Sequence, residues 1–181
     1  MENPQEIIDQ LSPNDALAVL KALAREDESL AARIVEIATA YLSEVDPGEV
    51  AFGLYDELNA LEVEEVWDRA GPTRRGYVDP GEAAGHMVEE IIDPYLEELR
   101  KYQALGMNTQ ANRMCMGLLL GLYKFEDEST SKFKDWAPDA SGIFAEEVVG
   151  VWKAGSPSRA DIKALRTFIE RELFGWGARL V

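Results

Sequence analysis

The chain has 181 residues, 18 Lys and Arg against 34 Asp and Glu, and a formal net charge of -16. An apolar share of 46% is enough for a packed core, which excludes a largely disordered chain. The negative excess repels phosphate and so excludes nonspecific binding to nucleic acid or to an anionic membrane surface; it permits a basic partner and equally serves solubility.

The chain opens on "MENPQEIIDQ", which has neither a basic start nor a long apolar stretch, so no secretory leader is expected. A short turn at 5–10 precedes the first strong signal, "LSPND", where Ser12 caps a helix that begins with Pro13 and runs over 13–25. A second helix over 28–44 carries Leu30, Ile34, Ile37, Ala38, Tyr41 and Leu42 on one face. Asp46–Pro47 opens 47–60, with Val50, Leu54, Leu58 and Leu61 in line, and 62–70 follows. Asp79–Pro80 opens 80–104, with Val88, Ile91, Ile92, Tyr95, Leu99 and Tyr102 on its face and a break or kink at Pro94. Ala111, Met114, Cys115, Leu118, Leu119 and Leu122 define 109–125. Helices at 139–153 and 159–174 close the chain, the last capped by Ser156–Pro157 or Ser158.

No stretch alternates with period two, so no strand is predicted. The most apolar run, "MCMGLLLGLY" at 114–123, is about half of what spans a bilayer. The one cysteine, Cys115, sits inside it and reads as a buried core thiol. With no disulfide possible within the chain, a reducing, cytoplasmic location is expected. The expected class is all-α: a single domain over 1–181 of about eight helices, with possible sub-units of hairpin repeats over 1–105 and C-terminal helices over 106–181.

Three helix starts are spaced regularly. Ser12, Asp46 and Asp79 open their motifs 34 and then 33 residues apart, the period of a helix–turn–helix repeat. In this the first two thirds of the chain resemble the helical-repeat superhelix proteins of the tetratricopeptide or HEAT kind. The tetratricopeptide consensus of Trp, Leu-Gly, Tyr and Ala is missing, and Asp93–Pro94 recurs out of phase. Two architectures therefore stay open: hairpins stacked as a short superhelix, or a helical bundle. The segment "LSPNDALAVLKALAREDESLAARI" also resembles helical segments of prokaryotic proteins that carry SWIM zinc fingers. The Cys and His ligands of such a finger are absent here, so the resemblance implies neither zinc nor nucleic-acid binding.

Candidate chemistry is sparse. His86, the only histidine, has Glu82 and Glu90 four residues to either side and Glu89 three on, a spacing that lets them approach one metal ion. The alternative for these residues is a solvated acidic face. A full di-metal bundle site needs Glu-x-x-His units that the chain lacks. A Ser–His or Cys–His pair would also have to use His86. "GLLLG" at 117–121 lacks the Lys-Ser/Thr of a phosphate loop, and its glycines suit close helix approach instead. No cofactor is expected.

Aromatic and basic side chains supply the remaining candidates. Trp67 and Trp152 fit apolar helix faces and are expected in the core. Trp136, beside Pro138 in "KFKDWAPDASGIF", and Trp176, in the tail "FGWGARLV", are expected nearer the surface. Arg69, Arg74 and Arg75 crowd a connector within an acidic chain; they either pair with neighbouring carboxylates, meet an anionic partner, or are solvated. The reading is a non-catalytic interaction or scaffold protein with a protein partner, bound through Arg69, Arg74, Arg75, Trp136 and Trp176. The alternatives are a metal–carboxylate or other enzyme using His86 with Glu82, Glu89 or Glu90, an acidic protein that binds a basic one, and a homodimer.

Overall fold

Short acceptor side chains start the helices. In the computed structural model, which describes residues 4–74, 76–176 and 180, the Ser12 hydroxyl accepts from the Asp15 N–H at 3.2 Å. Asp46 accepts from Gly48 and Glu49, and Asp79 from Gly81. Ser158 and Asp161 form a reciprocal capping box. The fold is all-α, as expected. The helices are α1 (Pro4–Asp9), α2 (Pro13–Glu26), α3 (Glu28–Leu42), α4 (Pro47–Asn59), α5 (Val63–Arg69), α6 (Pro80–Ala104), α7 (Asn108–Asp127), α8 (Ala140–Ala154) and α9 (Arg159–Glu172), with a 3-10 turn at Lys132–Trp136. No helix among the described residues is long and apolar enough to cross a membrane.

The chain divides into two compact units, 1–44 and 45–181. In the first, a single residue, Asp27, separates α2 from α3; its carboxylate caps α3 by accepting from Ser29 and Leu30. The two helices pack on one another, and Ala16, Ala31 and Ile34 are half-buried, yet neither helix buries a single residue.

The second unit is a packed helical bundle around α7, which touches α4, α6, α8 and α9. Its most extensive contact, with α4, depends on two glycines. A Cβ on Gly117 would come within 2.6 Å of the Val50 Cβ and 2.9 Å of the Pro47 carbonyl; one on Gly121 would lie 3.0 Å from the Ala51 carbonyl. The "GLLLG" run is thus a helix-crossing device, as its spacing predicts. Leu118, Leu119, Leu122 and Cys115 fill the core beside it. Burial pushes the Cys115 thiol well above its ordinary range, so it remains protonated.

Three local expectations are corrected. First, of the break or kink expected at Pro94, there is no break: α6 is one helix from Pro80 to Ala104. Proline leaves the Glu90 carbonyl without its helical partner, but both residues face solvent, where water substitutes, while Val88, Ile92, Leu96 and Leu99 hold the buried side. Second, the arginine connector contains a small antiparallel hairpin: β1 (Gly71–Thr73) pairs with β2 (Gly76–Val78) in the register Gly71↔Val78, Pro72↔Tyr77 and Thr73↔Gly76. Three-residue strands are too short for alternation to show in the sequence, and Gly71 and Gly76 adopt φ of 109° and 137°, which only glycine enters readily. Third, two tryptophans change places. Trp67 stands 54% exposed because Val66, its neighbour on the short α5, takes the buried position. Trp176 is only 6% exposed: Gly175, at φ 85°, turns the chain after α9, and the indole meets the Tyr123 ring edge-on at 5.6 Å.

Candidate functional site

The site grows from the segment between α7 and α8, which polar contacts tie down. The Ser129 hydroxyl donates to Asn59 Oδ1 at 2.6 Å and accepts from the Ser131 N–H. The Lys134 ammonium donates to the carbonyls of Glu126 and Ser129, and Phe133 is completely buried. These anchors hold Trp136 half-buried, with the Trp67 ring edge-on to it at 4.8 Å and 76°. The pair joins the end of the 3-10 turn to α5 and accounts for the exposed indole.

Trp136 also forms one wall of a groove of about 440 Å³ between the first turns of α6 and the start of α8. Pro138, Ile143 and Phe144 complete its apolar walls. Its floor is made by absent side chains: Gly81 and Gly85 lie one turn apart on α6, and a Cβ on Gly85 would meet nothing within 4 Å. Glu89, a further turn along the same line, stands at the rim with Asp139 and Glu147. Asp139 is the N-cap residue of α8 but makes no side-chain capping bond, so its carboxylate is not committed to the helix. The groove therefore combines apolar walls with three acidic side chains, an arrangement that attracts cations carried on an apolar frame.

The sequence-predicted residues fall in several places. Trp136 lines the groove, whereas the buried Trp176 lies against α7 and presents no surface to a partner. Arg69 Nη1 donates to Glu90 Oε2 at 2.6 Å, linking the end of α5 to α6. For Arg69 this is the first of the three readings, pairing with a neighbouring carboxylate. Arg74 occupies the exposed turn between β1 and β2 and makes no ion pair among the described residues. Arg75 lies outside the described residues.

His86, Glu82, Glu89 and Glu90 are all exposed on α6, and among the described residues no three His, Cys, Asp or Glu side chains gather as a metal site. Glu90 is engaged by Arg69, and Glu89 faces the groove. Sequence reasoning missed Gly81, Gly85, Asp139, Ile143 and Glu147. The signal that would have found the floor is the Gly81–Gly85 spacing, the same step of four that marks Gly117 and Gly121. The chain matches no family model, no curated protein and no solved structure.

Proposed function

We propose that this protein is a non-catalytic interaction protein, and that its α6–α8 groove holds a short segment of a protein partner in which apolar side chains alternate or mix with Lys or Arg. The observation that carries this reading is the groove itself, with Trp136, Ile143 and Phe144 as walls and Glu89, Asp139 and Glu147 at the rim. Its volume, about 440 Å³, lies within the ~300–1,000 Å³ of pockets that enclose small ligands, room for two or three side chains. The net charge of -16 adds long-range attraction for a basic segment. Half-buried Trp136 and exposed Ile143 are the kind of residues that anchor interfaces.

The test uses fluorescence polarisation with matched sets of short peptides: apolar residues combined with Lys and Arg, and the same apolar residues combined with Asp and Glu. The basic set is expected to bind more tightly, with an advantage that shrinks as salt rises. Gly85→Leu fills the floor, and Ile143→Arg places a cation on the wall; each is expected to weaken binding at least about tenfold. Equal binding of the two sets, or unchanged binding by Gly85→Leu, would overturn the reading.

A further inference from the structure

Ten of the sixteen large apolar side chains that stand exposed among the described residues belong to unit 1–44. They are not scattered. On α3, Leu30, Ile34, Ile37 and Tyr41 follow steps of four, three and four, the spacing of a coiled-coil seam. Beside it on the same helix a second seam runs through half-buried Ala31 and Leu42, and half-buried Ile34 is shared by the two. Tyr41 is 82% exposed and Ile37 56%. α3 thus has two adjacent apolar seams, one of them unused.

We infer that the exposed seam through Leu30, Ile37 and Tyr41 pairs with the same seam of a second copy of the chain, forming a four-helix cluster from two α2–α3 units. Three observations select that occupant. First, a 44-residue unit is near the size below which a helical fold needs an added staple or an oligomer, and neither α2 nor α3 buries a residue. Second, the seam exposes Leu30, Ile37 and Tyr41, and α2 exposes Leu17, Leu20 and Leu23, six side chains toward the ~800 Å² that each partner buries in a standard interface. Third, the charge pattern permits self-pairing despite the chain's acidity. The seam is flanked by Ala31 and Ala38 on one side and Arg33 and Ala40 on the other, while Glu28 and Glu36 lie round the far side of the helix. Arg33 is itself paired with Glu36 at 2.7 Å. Within α3 the seam itself carries no carboxylate, Asp27 and Glu44 standing beyond its two ends, and a two-fold axis makes the contact self-complementary. The inference does not rest on the groove, which is built from residues of the other unit.

Sedimentation equilibrium of the full chain across micromolar concentrations is expected to give twice the 20.1 kDa chain mass. Ile37→Glu is expected to shift the dimer to monomer, weakening association at least about tenfold. Val35→Glu, exposed but off the seam, is expected to leave the dimer intact. Should Ile37→Glu lose helicity by circular dichroism, Tyr41→Ala reads the same seam, since that side chain supports almost nothing within the protomer. A wild-type monomer throughout the range would overturn the inference. So would a dimer that survives both Ile37→Glu and Tyr41→Ala, or a monomer in which Ile37 is protected from hydrogen exchange by its own chain.

Discussion

Residues 1–44 and 45–181 are written in one helical idiom and end in opposite physical states. Both open their helices with Ser or Asp caps, and both carry apolar faces at steps of three and four. Among the described residues every buried side chain lies at or beyond Val45. The difference shows that periodicity reports how much surface a helix offers for burial, and says nothing of what covers it. Cover comes from neighbours. In the larger unit α7 is surrounded by four helices; in the smaller one α3 has α2 and a vacant seam.

The strongest way to break the contrast is to overfill the larger unit. Gly117→Leu drives a side chain into the Val50 Cβ and the Pro47 carbonyl, and backbone is the harder of the two to move. The expected loss is about 3 kcal/mol or more, read by urea unfolding. Gly85→Leu is the matched control, a glycine at the same helical spacing facing an open groove. It is expected to be neutral or to stabilise by up to about 1 kcal/mol, because glycine inside a helix is itself unfavourable.

A cavity in the core sharpens the same contrast. Leu118→Ala is expected to cost about 2–5 kcal/mol, independent of protein concentration. Ile37→Ala is expected to act mainly through association, so that its effect on the unfolding midpoint depends on concentration. If both variants behave alike at every concentration, the two units do not differ in the way their burial indicates.

Much of the fold was legible beforehand because helices announce themselves locally. Ser12, Asp46, Asp79 and Ser158 sit where a cap must sit, and the predicted boundaries hold to within about two residues. The misplaced tryptophans are a question of what lies opposite. In sequence Trp67 fits an apolar helix face and Trp176 sits in a glycine-flanked tail; Val66 displaces the first from the core, and a turn at Gly175 delivers the second into it. The groove was hidden for the same reason. Gly81 and Gly85 repeat the spacing of Gly117 and Gly121, but α4 fills the space at both of the latter, whereas Gly85 faces open space, a distinction carried by residues far away in the chain.

Smaller effects probe the surface of the larger unit. Arg69→Ala removes the link to Glu90, but both partners are well exposed, so the expected loss is at most about 1 kcal/mol and shrinks further in salt. A larger loss would mean that the β1–β2 connector depends on this pair for its path.

The smallest expected effect appears only at alkaline pH. The Tyr95 hydroxyl donates to Glu57 Oε1 at 2.7 Å, joining α6 to α4. Burial first, and then the bond to Glu57 and its negative charge, push the phenol well above its ordinary value of 10.0. The folded state therefore keeps the proton where the unfolded chain has begun to lose it. The contribution is fully present below pH 10 and is lost as pH rises from there toward the folded-state value. Tyr95→Phe cannot titrate, so the gap in stability between wild type and variant is expected to be constant near neutrality and to narrow above pH 10. Urea midpoints measured from pH 7 upward check this. A gap that stays constant or widens at alkaline pH would mean that the hydroxyl is not held by Glu57 in solution, and that the α4–α6 contact rests on its apolar residues alone.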